Sequence, residues 1–212
     1  MDLANQRREY RYANLDLEQA NKDPLPQLLS WLDQAQAAQI VDASAMTLST
    51  VDEQGMPSSR TVLLKGIDQK GLVFYTNLAS SKAKDISVNN QVCLHFAWLQ
   101  QDRQVRVQGV ANRLSTTQVL HYFLTRPRNS QLSAWASEQS RVLQSREVLI
   151  QQYEQMKQKF KDGKIPLPAH WGGYCVTPIR FEFWQGGNDR LHDRLVYRRQ
   201  SDHAWSIERL AP

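Results

Sequence analysis

Arg190, His192 and Arg194 recur at every second position near the C-terminus, with Trp184 a short distance upstream. Alternate side chains of a strand share one face, so two guanidiniums and an imidazole would project together. With Gly186, Gly187 and Asn188 in or beside a three-residue loop, Trp184 falls across from Arg190 on that same face. Guanidinium forks bind phosphate or carboxylate, and an indole offers a flat wall to an aromatic ring. A solvated edge strand with a half-buried tryptophan fits the same spacing, so the pattern alone leaves both readings open.

Other chemistries lack their residues. Cys93 and Cys175 are far apart and form no Cys-x-x-Cys pair, which supports neither a disulfide framework nor a thiolate metal site. The five histidines show no His-Glu-x-x-His spacing, and the nine glycines build no nucleophile elbow, Walker loop or dinucleotide fingerprint. No metal site is expected. The chain has 212 residues, 41% of them hydrophobic, with six Trp, seven Tyr and six Phe, a composition for a packed core rather than a disordered chain. No apolar run approaches the roughly 20 residues that span a bilayer, and the polar N-terminus carries no secretory signal; the expectation is a soluble, cytoplasmic protein without membrane contact. Lys plus Arg number 26 against 21 Asp plus Glu, a net charge of +5 that suits an anionic partner. These cations are scattered singly, which argues for a pocket or a solvated surface rather than a nucleic-acid stripe.

The elements that must position these groups follow from periodicity. Residues 1–22 read as a flexible arm and 23–212 as a single domain. Asp23-Pro24 opens a helix over about residues 25–39, with Leu25, Leu28, Leu29, Leu32 and Ala35 on its buried face. From residue 45 the period becomes two: strands are expected over 46–51, 60–67, 72–76, 92–98 and 103–110, joined by short turns. A short helix with a serine cap begins near Ser80, and a second capped helix spans Ser115 to Arg126. The 126–130 stretch interrupts it, and a longer helix carries Leu149, Tyr153, Met156 and Phe160. A linker at 164–168 leads to a hairpin of 179–185 and 190–198, with a last strand at 204–207. The result is an α+β protein on an antiparallel barrel decorated with helices.

Phe181-Glu182-Phe183-Trp184-Gln185 followed by Arg190-Leu191-His192-Asp193-Arg194 resembles the C-terminal signature of the pyridoxamine/pyridoxine 5′-phosphate oxidase family. The resemblance continues through Arg7-Arg8-Glu9-Tyr10, Arg60 to Lys65, Phe74 to Asn77, Arg103-Gln104-Val105, Tyr122-Phe123, Arg126-Pro127-Arg128, Ser137 to Ser140 and Ile207 to Pro212. It implies an FMN-binding split β-barrel, active as a homodimer with FMN at the interface. The implied reaction oxidises pyridoxamine 5′-phosphate or pyridoxine 5′-phosphate to pyridoxal 5′-phosphate, with molecular oxygen as acceptor and hydrogen peroxide as product. A hydride would pass from the substrate C4′ to the flavin N5.

Carried over residue by residue, the resemblance implies an FMN site of Arg60, Thr61, Val62, Leu63, Leu64, Lys65, Tyr75, Thr76, Lys82, Gln104, Gln139, Ser140, Trp184 and Arg194. Arg60 and Lys82 would meet the phosphate. Family members commonly carry Arg immediately before this lysine; here Ser81 can donate a hydroxyl hydrogen bond to the phosphate but brings no charge. The substrate would be held by Lys65, Tyr122, Arg126 and Ser130 around its phosphate, and by Arg190 and His192, the implied catalytic pair, over its ring. Arg7 and Tyr10 would belong to an arm that closes over the substrate. Arg60 and Lys65 lie nominally on opposite faces of one straight strand, which a bulge or two ligands approached from opposite sides would reconcile. Two other readings remain: a flavin reductase of the same fold acting on another substrate, which would not need the Arg190-Leu191-His192 run, and a basic nucleic-acid-binding module stacking bases on its aromatics.

Overall fold

The computed structural model describes residues 5, 8–10 and 13–212. Its frame is one antiparallel sheet. Strands β1 (Ala45–Val51), β2 (Pro57–Leu63), β3 (Gly66–Asp68), β4 (Gly71–Asn77), β5 (Gln91–Trp98), β6 (Arg103–Arg113), β7 (Trp171–Gln185), β8 (Asp193–Arg199) and β9 (Trp205–Leu210) pair in the order β2-β1-β5-β6-β7-β4-β3, with β8 on β7 and β9 on β8. β7 is the pivot. One of its edges pairs with β6; the other carries β4 over its first half and β8 over its second, so the sheet curls into a half-barrel.

Strict alternation builds the core. Leu94, Phe96, Val105, Val107, Phe181, Phe183, Leu195 and Tyr197 are buried on the concave face, and helix α1 (Pro24–Ala37) lays Leu28, Trp31, Leu32 and Ala35 against them. Trp31 meets Phe183 edge to face at 5.3 Å. The same alternation turns His95, Gln104, Arg106, Glu182, Trp184 and Arg194 to the other face. Asp23 caps α1 by accepting from the Leu25 N–H, with Pro24 in the first turn, where a missing N–H costs nothing. Of the segment read as an arm, Leu15 is buried and its N–H donates to Asp193, while Asn21 accepts a hydrogen bond from the Tyr197 hydroxyl at 2.8 Å.

That phenol lends itself to a stability test. Burial, followed by the nearby Asp23, pushes the Tyr197 pKa up to about 12 from 10.0. The folded chain therefore keeps a proton that the unfolded chain releases, so stability is full below pH 10 and declines as pH rises towards 12. Tyr197→Phe should cost about 1 kcal/mol near neutrality for the lost hydrogen bond. The gap from wild type should close on the alkaline side; urea midpoints across that range check it, and a constant gap would contradict it.

Several local expectations are corrected. The strand expected over 60–67 is two strands, because the chain changes partner: Leu64 N–H bonds to Ser44 O and Lys65 N–H to Val73 O. Ser80 occupies the N-cap of α2 (Ser81–Val88), yet its hydroxyl makes no cap bond and instead faces Lys82 Nζ. The interruption after α3 (Thr116–Thr125) is only a corner; Pro127 caps a further helix, α4 (Arg128–Ala136), ahead of α5 (Arg146–Lys159). β7 begins at Trp171 rather than Ile179, with Pro178 at the register shift opposite Gly109, where its missing N–H interrupts no regular ladder. The last strand runs to Leu210. In the C-terminal hairpin, β8 starts only at Asp193, so Arg190 and His192 belong to the loop and Trp184 pairs with Arg194, not Arg190.

Candidate active site

The break after β2 decides the geometry of the main cavity. Because Leu64 turns into the core, 6% exposed, the chain swings so that Arg60 and Lys65 both reach one hollow of about 720 Å³. β2 supplies Arg60, Thr61, Val62 and Leu63; β4 supplies Tyr75, Thr76 and Asn77; the first turn of α2 supplies Ser81 and Lys82. Tyr122 and Arg126 enter from the end of α3, Ser133 and Ala134 from α4, and Ser137, Gln139, Ser140 and Trp171 close the wall. The strand break thus resolves the opposite-face problem posed by Arg60 and Lys65.

Four cations line this hollow, and their pairing is incomplete. Arg60 donates to Thr50 Oγ1 at 2.6 Å and lies 3.6 Å from Asp85. Lys82, only 7% exposed, donates to Gln139 Oε1 at 3.0 Å and has no carboxylate in ion-pair range among the described residues. Burial, then the Arg60 charge, lowers its pKa, while Asp85 partly offsets them. Arg126 Nη1 is buried without a hydrogen-bond partner, and burial lowers its pKa too. A buried cation left this way is costly unless an anion completes it. The wall is flat as well: Tyr122 stacks on Tyr75 at 3.9 Å, Tyr75 on Trp171 at 5.3 Å, and the Arg126 guanidinium lies 4.7 Å from the Trp171 ring centre. Cations over stacked rings make a receptor for a phosphorylated, planar molecule.

The remaining expected residues gather elsewhere. A second hollow of about 220 Å³ is lined by His95, Gln104, Arg106, Glu182, Trp184, Arg194 and Pro212, and shares no lining residue with the first. His95 Nε2 and Gln104 Oε1 are 3.1 Å apart. Beside it, Tyr10 meets Trp184 and His192 edge to face at 5.7 and 5.2 Å. His192 Nδ1 accepts the Gly187 N–H, which leaves Nε2 as the protonated nitrogen of the neutral ring. Arg190 is exposed at φ 64° after Asp189 at φ 53°, two successive left-handed residues without glycine's freedom. Strain of this kind concentrates at functional loops. Ser130 sits on the first turn of α4 and does not line the cavity; Arg7 lies outside the described residues.

Asn77, Ser133, Ala134, Ser137 and Trp171 line the first hollow without having been assigned to a site from the sequence. Ser133 lies on the helix that Pro127 concealed, and Ser137 is the residue that caps its C-terminal end.

Residues 32–160 match a family model described as pyridoxamine 5′-phosphate oxidase, and residues 171–212 one described as the pyridoxine 5′-phosphate oxidase C-terminal dimerisation region. The chain is 53% identical over its full length to a pyridoxine/pyridoxamine 5′-phosphate oxidase of Teredinibacter turnerae, covering 100% of both. Among solved structures it is similar to PhzG from Burkholderia lata 383, determined in complex with tetrahydrophenazine-1-carboxylic acid, at 27% identity and TM-score 0.87, covering 92% of this chain and 95% of that one. A pyridoxamine 5′-phosphate oxidase-related, FMN-binding protein of Nostoc punctiforme shares the fold at 16% identity and TM-score 0.73, covering 90% and 98%. The described residues contain no helix long and apolar enough to cross a membrane.

Proposed function

Because this chain belongs to the pyridoxamine 5′-phosphate oxidase family, we propose that its two hollows are halves of one site, closed face to face in a homodimer around FMN and a B6-vitamer phosphate. The activity is oxidation of pyridoxine or pyridoxamine 5′-phosphate. What supports the reading most directly is a pair of incompletely matched cations lining the first hollow, the buried Lys82 and the half-buried Arg126, whose Nη1 has no hydrogen-bond partner. Two phosphates, one from each ligand, satisfy them. Trp184, Arg190, His192 and Arg194 all fall in the stretch matched to the dimerisation region, which is the reason to bring the second hollow of one protomer to the first of its partner.

In this reading Arg60, Lys82 and the Ser81 hydroxyl hold the FMN phosphate, with free N–H groups of the first turn of α2 adding to the attraction. Thr61, Val62, Leu63, Tyr75, Thr76, Gln139 and Ser140 line the rest of the flavin seat, completed by Gln104, Trp184 and Arg194. Leu64 acts from the core, by forcing the turn that delivers Lys65. Lys65, Tyr122 and Arg126 grip the substrate phosphate. When bound, FMN supplies the acceptor for a hydride equivalent from the substrate C4′, with molecular oxygen as final oxidant and hydrogen peroxide as product. Arg190 and His192 orient the pyridine ring, and His192, with a proton at Nε2, can move a proton at the C4′ substituent. Tyr10 packs over His192 and Trp184, where it shields that edge from water.

Purified chain reconstituted with FMN should be yellow, and adding pyridoxamine 5′-phosphate in air should release peroxide in step with aldehyde. Failure to retain flavin, or flavin retention with peroxide release only on adding a nicotinamide donor, would overturn the reading.

A further inference from the structure

Behind Trp184, on the same sheet face, one carboxylate gathers three guanidiniums. Glu182, 6% exposed, accepts at Oε1 from Arg194 Nε (3.1 Å) and Nη2 (2.8 Å), and at Oε2 from Arg180 Nη2 (3.1 Å) and from Arg106 Nη2. All four acceptor positions of the carboxylate are filled, so Glu182 has none to offer a ligand. No other carboxylate of the described residues lies in ion-pair range of these arginines; three positive charges against one negative leave a net +2. Burial alone would push the Glu182 carboxyl up, but hydrogen bonds from Arg194 and Arg106 outweigh it and hold the group below the usual range, so it stays ionised. Arg180 stands outside the hollow, anchored by Gln108 at 2.9 Å.

We propose that Glu182 and Arg180 are positioning residues that set the reduction potential of the bound flavin through the charge of the cluster they share with Arg194 and Arg106. The inference rests on the reading above, in which Arg194 and Trp184 meet the flavin. Reduction adds negative charge to the isoalloxazine, and charge held near the ring shifts its potential. Two opposed substitutions then carry opposite signs. Glu182→Gln takes the cluster from +2 to +3 and favours the reduced form. Arg180→Gln takes it to +1 and favours the oxidised form. A residue that merely supported the fold would move both variants the same way.

The test is the two-electron potential of FMN bound to the full chain, measured by dye equilibration in wild type, Arg180→Gln, Glu182→Gln and Glu182→Asp, with FMN dissociation constants alongside. Arg180→Gln should lower the reduced-to-oxidised ratio about three- to tenfold, and Glu182→Gln should raise it as much, shifts of about 14–30 mV at ~30 mV per decade. Glu182→Asp, which keeps the charge, should stay within twofold of wild type. Both shifts should shrink at high ionic strength. Potentials within twofold of wild type, or both charge variants shifting in one direction, overturn the proposal. Should Glu182→Gln fail to fold, the sign and salt dependence of Arg180→Gln decide alone. A wild-type chain that binds no FMN overturns the reading of the site itself, whereas bound FMN with unmoved potentials overturns only the charge pair.

Discussion

Lys82→Met should weaken FMN binding by about 30- to 150-fold while leaving the flavin-free chain no less stable than wild type. The affinity loss corresponds to about 2–3 kcal/mol, the usual worth of a charge-assisted hydrogen bond to a buried anion. The stability result has the opposite origin. In the free chain the Lys82 ammonium is buried with only Gln139 and Ser80 as partners among the described residues, so its desolvation is poorly offset. Methionine removes that cost, and Gln139 Oε1 keeps the Thr76 hydroxyl at 3.1 Å. Binding also has a pH signature. Phosphate needs the charged amine, and burial with Arg60 nearby lowers its pKa below the ordinary 10.5. Wild-type affinity should therefore fall on the alkaline side earlier than an ordinary lysine would dictate, and Lys82→Met should lack that limb. Titration of flavin fluorescence against pH, with thermal melts of both apo chains, reads all three. A variant that loses stability and affinity together would mark Lys82 as a structural residue.

Arg190→Lys should reduce kcat/KM by about 100-fold or more, roughly 2.7 kcal/mol of transition-state stabilisation. Its FMN affinity should stay within twofold, since Arg190 lines neither hollow. Lysine preserves the charge and tolerates the backbone as arginine does, so the φ of 64° is not what changes. What disappears is the planar fork, which a point ammonium cannot reproduce. Single-turnover reduction of bound flavin by pyridoxamine 5′-phosphate isolates this step from oxygen chemistry. Turnover within twofold of wild type would remove Arg190 from the reaction.

How much of this was legible beforehand varies with the range of the interaction. The alternation of Val92, Leu94, Phe96 and Trp98 announced β5 and its buried face, and Leu28, Leu32 and Ala35 announced α1. Ser115 was readable as a cap because its partner Gln118 stands three residues on, completing a capping box. The residues proposed for flavin and substrate were legible as a family pattern, not as geometry. Local signals failed where a distant partner outweighed them. Ser44 and Val73 pull the 60–67 run apart, and α4 forms after Pro127 because a proline at a helix start gives up no bond.

From the chain alone came the periodicities, the scattered cations and the absence of other catalytic patterns, since each depends only on residues within a few positions of one another. Tertiary structure decided which cations share a hollow. Gln104, Trp184 and Arg194 are neighbours only because β6, β7 and β8 align in register, and Lys65 joins Arg60 only because Leu64 is worth more in the core than in a straight strand. Convergence of this kind is set by long-range hydrogen-bond register and burial, quantities that no window of sequence contains.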